Sequence, residues 1–321
     1  MTVRDLPFES NLATDPPIQW DEAPCPLCGR QGADIAFEAR DAMPSTGPGL
    51  VFAVVACKSC GLSYTNPRPD YESIAGFYPT DYRPHRKKFQ TRFKVKSPWF
   101  SRITGRGLPE RTGNIPWQGR GRLLDFGCGS GSFLRRMADR GWTVTGLDNS
   151  VAVAQIVRDE LGLNVHIGTL PHPELQPGSF DVITMWHSLE HIHEPLSALR
   201  DAYELLVPGG KIIVAVPNAA SWPAKWFGSS WFGLDVPRHL THFTPRTLRE
   251  MIATAGFSLE STRLIRHSDW LWSSAKRAYA TRTSHWAYPL TLKPIAKFVA
   301  WLTYLAGKSD CQMAVAIRPM S

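Results

Sequence analysis

The sequence predicts an α/β fold, a mainly parallel sheet with helices on both faces, and three observations predict it. Apolar runs of strand length end in an acid or a turn at Leu123-Leu124-Asp125, Thr143 to Asp148 and Phe180 to Trp186. Helical periods alternate with them, as in Phe133, Leu134 and Met137, and again in Leu196, Leu199, Tyr203 and Leu206. Between the first strand and the first helix the chain reads Asp125-Phe-Gly-Cys-Gly-Ser-Gly, a loop of three alternate glycines.

Each element follows in order. Leu123 and Leu124 read as a buried strand ending at Asp125. Gly127, Gly129 and Gly131 let the backbone turn tightly and approach a ligand without Cβ interference. Gly141 fits the stop of the helix that follows. A second strand ends at Asp148, whose carboxylate can accept two hydrogen bonds from vicinal hydroxyls. These five parts describe the nucleoside-binding half of a doubly wound sheet. A G-x-G-x-x-G loop would face a pyrophosphate. Here an acid precedes the glycines, which repels a pyrophosphate and suits an ammonium group.

Asn164 to Leu170 reads as a third strand. The fourth, Phe180 to Trp186, is almost continuously apolar, as a strand buried on both faces should be. His187-Ser-Leu-Glu-His-Ile-His-Glu-Pro follows at the carboxyl end of the sheet, where open α/β sheets bind ligands. The next helix is expected to stop at Pro208-Gly209-Gly210, before a fifth strand from Lys211 to Pro217. Thr244 is a plausible N-cap with Pro245 at the first helical position, and Gly256 closes that helix. Strands near Ser258–Ile265 and Cys311–Ile317 complete the sheet.

The Asp-x-Gly-x-Gly-x-Gly loop with Asp148 resembles the class I S-adenosylmethionine-dependent methyltransferases. The run from His239 to Phe257 resembles the branch that methylates small molecules, including quinone precursors and sugars. The resemblance covers about half the chain, from near Arg120 to Arg266, plus the final strand. It implies a Rossmann-like seven-stranded sheet whose last strand is antiparallel. It further implies that Asp125, Gly127, Cys128, Gly129 and Gly131 surround the methionine part of S-adenosylmethionine. Asp148 and Asn149 then lie at the ribose, and Thr169, Leu170, Trp186 and His187 near the adenine and the sulfonium.

Four of the six cysteines form two C-x-x-C-Gly knuckles, Cys25/Cys28 and Cys57/Cys60. Two such turns can present four thiolates tetrahedrally to one Zn²⁺, with no position left open for substrate, so a structural ion is expected. Redox dithiols or unligated buried cysteines are the other readings. Cys128 and Cys311 read as packing residues. The segment Cys57-Lys-Ser-Cys-Gly-Leu-Ser-Tyr-Thr-Asn-Pro-Arg-Pro resembles the zinc module of sugar C-methyltransferases and of methyltransferases from surface-polysaccharide pathways. In those relatives the following segment helps cover the substrate, which makes Tyr64, Tyr78 and Tyr82 substrate contacts or simply packed aromatics. Those sugar enzymes carry a further C-terminal domain that this sequence lacks, which argues for O- over C-methylation.

The formal charge is +8 over 321 residues. Arg83 to Arg106 concentrates it, either as a solvated face or as an attraction for anionic lipid, a phosphorylated substrate or nucleic acid. Ser268 to Lys308 is an insertion containing Trp270, Trp272, Trp286 and Trp301, read as two helices capping the site or lying on a membrane surface. Ordinary packing or a dimer interface is the alternative. Its apolar run Phe298-Val-Ala-Trp-Leu-Thr-Tyr-Leu is shorter than the ~20 residues that span a bilayer. The expected organisation is a zinc-binding module over 1–82, a basic linker over 83–117, the cofactor-binding core over 118–267, the insertion over 268–308 and a final strand and tail over 309–321. No signal peptide is read at the start, so a cytoplasmic location is expected, with peripheral contact at the inner membrane face as an option.

Methyl transfer needs an aligned nucleophile and, for a hydroxyl or carbon acid, a base. His239 is the favoured base because His-Leu-Thr-His-Phe-Thr resembles the loop that carries a proposed basic histidine in the sugar enzymes. His191 follows, with Glu190 as its orienter, and then His242. A metal site of Glu190, His191 and His193 is conceivable, although adjacent residues point in different directions. The expected acceptor is a small molecule or a saccharide, free or lipid-linked. RNA methylation is the runner-up, and strand four argues against it by lacking an Asn/Asp-Pro-Pro-aromatic tetrapeptide. A non-catalytic cofactor-binding scaffold is the third reading.

Overall fold

The structure, a computed structural model, describes residues 18–42, 49–78 and 121–320. The basic stretch 83–117 and Tyr82 lie outside the described residues.

The N-terminal part forms five strands: β1 (Trp20–Asp21), β2 (Ala33–Arg40), β3 (Val51–Cys57), β4 (Ser63–Thr65) and β5 (Arg68–Pro69). β2, β3 and β4 are antiparallel neighbours, and β1 pairs separately with β5. The two cysteine knuckles bracket this sheet, one before β2 and one after β3.

The main sheet is built from β6 (Arg122–Phe126), β7 (Thr143–Asp148), β8 (Val165–Ile167), β9 (Phe180–Trp186) and β10 (Leu206–Pro217). Helices α1 (Ser132–Ala138), α2 (Val151–Leu161) and α3 (Pro195–Leu205) connect them. Leu123, Leu124, Val182, Ile183, Met185 and Val214 are fully buried. Burying each such side chain is worth about 1.5–3 kcal/mol, so central strands with no polar face are what this sheet requires. Two local readings change. The third strand is shorter than the run Asn164–Leu170. Helix α3 stops at Leu205, and Pro208-Gly209-Gly210 lies inside β10 as an irregularity against β9 instead of capping the helix. Gly210 has room for no side chain there, since a Cβ would lie 2.8 Å from the Val207 carbonyl oxygen.

After β10 come α4 (Trp222–Phe227), the two-residue β11 (Thr241–His242), α5 (Pro245–Thr254) and β12 (Ser258–Ile265). The Thr244 side chain accepts from the Thr247 amide with Pro245 at the first turn, as expected. Helices α6 (Ser268–Ala280) and α7 (Lys293–Leu305), joined through a 3₁₀ segment at His285–Thr291, precede β13 (Cys311–Ile317). The strand order is β12-β13-β10-β9-β6-β7-β8, parallel except that β13 runs antiparallel to both its neighbours. This is the seven-stranded arrangement that the sequence predicts.

β11 is the element that sequence reading misses. It leaves the main sheet and pairs antiparallel with β4, becoming the fourth strand of the N-terminal sheet. Thr65, fully buried, anchors the join: its amide donates to the Leu240 carbonyl at 2.9 Å and its hydroxyl to the His239 carbonyl at 2.9 Å.

A buried ion cluster reinforces it. Arg238 is fully buried and all five of its N–H donors are used. Asp41 accepts from Nη1 and Nη2 at 3.1 and 2.5 Å, and Asp235 from Nε and Nη2 at 3.2 and 3.0 Å. The Phe77 carbonyl takes the fifth at 2.8 Å. Burial alone would raise the Asp235 carboxyl, but Arg238 holds it at about 2. Replacing one partner of such a cluster leaves uncompensated charge in a dry interior, at a cost of about 3–5 kcal/mol. Arg238→Met should therefore lower the unfolding free energy from urea titration by that amount, shifting the midpoint down accordingly, and Arg238→Lys should recover only part, because an ammonium cannot fork between two carboxylates. A midpoint within error of wild type for Arg238→Met would show that the cluster contributes nothing net.

Candidate active site

The carboxyl ends of β6, β7, β8 and β9 converge on one edge, and the residues expected at the cofactor lie there. Gly127, Gly129 and Gly131 all take positive φ, at 73°, 49° and 67°. A Cβ on Gly127 would meet Ser188 Cβ at 2.6 Å, so this turn admits only glycine. The Gly127 amide donates to the Leu147 carbonyl at 2.8 Å, tying the loop to β7. Asp148 is buried, and each carboxylate oxygen accepts one backbone N–H, from Gly129 at 2.9 Å and Ser150 at 3.0 Å. Each oxygen keeps a lone pair for a ligand hydroxyl.

Asp125 is buried beneath the loop and accepts from the Thr184 hydroxyl at 2.6 Å. Burial pushes its carboxyl up to about 8, against an ordinary value of 3.8, with the Asp148 charge adding to the effect. A cationic ligand is the partner this cradle calls for. Cys128 is buried and packs toward β7, where a Cβ on Gly146 would lie 2.9 Å from its sulfur. Asn149 is exposed and accepts from the Tyr71 hydroxyl at 3.4 Å, so the N-terminal part reaches across to the Asp148 end of the site. Leu170 is buried and Thr169 half-buried just past β8, and Trp186 packs edge-on against Phe133 with ring centroids 5.5 Å apart. His187 follows in a left-handed conformation, φ 53°, which a non-glycine residue holds only under the constraint of its surroundings. Its amide bonds Ala215, and its ring lies against Trp270 of α6 at 5.1 Å.

Beside this cradle is a pocket of histidines. The His191 and His239 rings meet edge to face at 4.6 Å. Each directs Nδ1 to a backbone carbonyl, Arg238 for His191 and Gly233 for His239, both at 2.9 Å. A carbonyl only accepts, so Nδ1 carries the proton and Nε2 keeps the lone pair in the neutral ring. The Tyr78 hydroxyl lies 3.0 Å from His191 Nδ1. Glu190 is fully buried, and among the described residues neither carboxylate oxygen forms a well-aligned hydrogen bond. His187 Nδ1 lies 3.5 Å from Glu190 Oε1. Burial opposes the Glu190 charge, but His187, His239 and His191 together hold the carboxyl below its ordinary value. Burial lowers His191 to about 4 and His242 to about 3, so both are neutral near pH 7.

The histidines separate by geometry. His242 Nε2 lies 3.1 Å from the Thr65 hydroxyl, whose only proton goes to the His239 carbonyl, so Nε2 must donate and His242 serves the β11–β4 join. His193 points away, with Nε2 at 3.0 Å from the Pro69 carbonyl. The donor atoms that do converge, within 4.8 Å, belong to Glu190, His191 and His239, and His193 is not among them. Of the flagged tyrosines, Tyr64 packs in the core, its hydroxyl raised to about 12 by burial and the nearby cysteines, and Tyr78 enters the histidine pocket. Trp270, from the insertion expected to cap the site, lines one end of it, and Tyr71, which lines the other, carries no signal in the sequence beyond being aromatic.

The four knuckle cysteines meet with all sulfurs within 4.8 Å, Cys25–Cys60 at 3.4 Å and Cys28–Cys57 at 3.6 Å. Tetrahedral ligands 2.3 Å from zinc lie about 3.8 Å apart, so the set fits the ion. Burial would raise the Cys57 thiol, but the Cys60 and Ser59 amides and the neighbouring sulfurs bring it to about 7.

The profile of the family described as methyltransferase domain matches residues 97–262. The chain is 30% identical over 179 residues to the ubiquinone biosynthesis O-methyltransferase of Xanthomonas euvesicatoria, covering 52% of this chain and 74% of that protein. It is 38% identical over 103 residues to the Pseudomonas fluorescens protein of the same name, covering 30% of this chain and 44%, less than half, of that one. Among solved structures it resembles a chain of the Haloferax volcanii complex between the Trm112 methyltransferase activator and a methyltransferase, with a TM-score of 0.50 and 19% identity over 69% of this chain and 92% of that one.

Asp125 makes the cradle testable. Its raised value means the folded protein holds the carboxyl neutral at pH 7, where the unfolded chain ionises it. The resulting cost is absent below about pH 4 and grows as pH rises toward 8. Asp125→Asn should abolish it, so the melting temperature of the variant should fall less than that of wild type between pH 5 and 8. Parallel curves would show that the wild-type carboxyl is ionised when folded.

Proposed function

We propose, from the premise that the chain belongs to the methyltransferase-domain family and is an S-adenosylmethionine-dependent methyltransferase, that it methylates a hydroxyl oxygen of a small molecule, free or attached to a saccharide or lipid. The observation that carries this reading is the junction of the two halves of the site. The Gly127–Gly131 loop with Asp125 and Asp148 suits the donor, and it opens beside a buried Glu190–His191–His239 pocket suited to taking a proton from an acceptor. The curated relatives named as O-methyltransferases support oxygen as the atom.

S-adenosylmethionine supplies an activated methyl on a sulfonium, so attack by the acceptor oxygen forms the O–CH₃ bond as the S–CH₃ electron pair returns to sulfur. The chain's own work is alignment and proton removal. His239 is the base we assign: its Nδ1–H is fixed on Gly233, which aims the Nε2 lone pair away from that carbonyl and leaves it free. Glu190, buried beside it, stabilises the positive ring that forms when the proton arrives. His191 orients the pocket through Tyr78 and the Arg238 carbonyl, and its value of about 4 makes it too weak a base to compete at neutral pH. Cys25, Cys28, Cys57 and Cys60 would hold zinc in a structural part of this scheme, which would fix the knuckle between β3 and β4, and β4 holds the strand that follows His239.

Two substitutions separate donor from acceptor. Asp148→Ala should weaken S-adenosylmethionine binding in calorimetry. His239→Ala should leave that affinity near wild type and lower turnover by about tenfold or more. Unchanged turnover on the true acceptor would remove His239 from the mechanism, and unchanged affinity in Asp148→Ala would remove the ribose assignment. Stripping zinc with a chelator should lower the melting temperature and release one ion per chain. A protein that carries no zinc and melts unchanged with chelator would refute the structural ion.

A further inference from the structure

The insertion between β12 and β13 is built inside out. Helix α7 buries its small residues, Ala296, Ala300 and Thr303, and exposes its large apolar ones. Ile295, Phe298, Trp301, Leu302 and Leu305 are 38–60% exposed. At about 100° per residue they share roughly one third of the helix circumference, opposite the buried stripe. The same exposure extends to Trp286, 52% exposed, which stacks on Phe227 of α4 with centroids 5.3 Å apart. Two exposed tryptophans of α4, Trp222 and Trp226, continue it. A water-facing helix ordinarily reverses this pattern, and contiguous apolar surface of this kind marks an interaction site.

The charges around the patch name its partner. From Ser268 to Lys308 there are six basic side chains, Lys276, Arg277, Arg282, Lys293, Lys297 and Lys308, and one acid, Asp269. Lys293 and Lys297 lie along one edge of the apolar stripe of α7, and the Lys276 and Lys293 ammonium groups lie over the Trp272 ring at 4.7 and 4.8 Å. A second copy of this chain would bring like charges against each other across a two-fold interface, which costs affinity. An anionic lipid surface meets both features, taking the aromatic and aliphatic side chains into the headgroup boundary and the cations against its phosphates. Among the described residues no helix is long and apolar enough to cross a membrane, so the contact is one of lying on the surface.

We propose that α7, with Trp286 and the end of α4, docks this protein on an anionic lipid surface and thereby presents its acceptor pocket to an amphiphile held in that surface. The identity of the acceptor as an amphiphile rests on the methyl-transfer reading, whereas the docking does not. The connection between patch and pocket is short. Helix α6, packed against α7, carries Trp270 onto His187, and its Ser274 hydroxyl accepts from the amide of Phe232, next to the Gly233 carbonyl that orients His239.

The test needs no turnover. The full chain is sedimented with phosphatidylcholine vesicles and with phosphatidylcholine/phosphatidylglycerol vesicles, and its oligomeric state is read by light scattering. Wild type should bind the anionic vesicles about tenfold more strongly than the neutral ones. The triple variant Phe298→Ser/Trp301→Ser/Leu305→Ser and the charge variant Lys293→Glu/Lys297→Glu should each lose that binding while keeping calorimetric affinity for S-adenosylhomocysteine. Wild type that stays in the supernatant with anionic vesicles overturns the proposal. So does a dimer that the triple variant splits without any vesicle binding, which would assign the face to a second copy.

Discussion

One buried guanidinium holds this molecule together. Arg238 sits between Asp41, at the end of an N-terminal strand, and Asp235, in the loop that leads to His239. Both carboxylates bond the same guanidinium in a dry interior, and Arg238 holds the Asp235 carboxyl well below its ordinary value. The loop that follows is therefore fixed at one end by charge. At the other end it is fixed by pairing, since Thr241 and His242 complete the sheet of the cysteine module. His239 lies between the two constraints, with its ring aimed by Gly233. The geometry of the histidine pocket is thus set largely by residues outside the main sheet.

The donor half of the site was legible in the sequence because it is local. Strand, glycine loop, helix and acid are contiguous, and positive φ at Gly127, Gly129 and Gly131 can be inferred from the residue type alone. The same holds for the helix start at Thr244-Pro245 and for the paired cysteine knuckles. The acceptor half is assembled from distant segments, and there the sequence runs out. Nothing near Thr65 announces that its hydroxyl will meet His239, 174 positions later. The sequence only made a grouping of Glu190, His191 and His193 conceivable, and the turn after Glu190 sends His193 to Pro69 and brings His239 beside the other two. The Pro208-Gly209-Gly210 stop failed for a related reason: its pairing partners, not its composition, decide that it belongs to a strand.

The strand exchange also changes how the parts should be regarded. An appended module normally has its own core and can be lost without disturbing its neighbour. Here Tyr64, Leu62, Cys25 and Cys57 share a continuous hydrophobic cluster with Leu124, Met185 and Phe243. Cleaving the module away would uncover that cluster and leave β11 without a partner. The two parts therefore belong to one cooperative unit in folding, even though their sequences read as two.

The buried charges carry a last consequence, for substrate choice. Around the histidine pocket the interior holds the carboxyls of Asp235 and Glu190, both kept below their ordinary values, with Arg238 the guanidinium that touches Asp235. The excess is negative, and in a medium that screens poorly it acts over the whole pocket. A carboxylate or phosphate next to the reacting hydroxyl would enter against that field, whereas a neutral phenol or sugar hydroxyl would not. If the proposed acceptor hydroxyl enters this pocket, discrimination by charge would come from the scaffold before any side chain touches the acceptor.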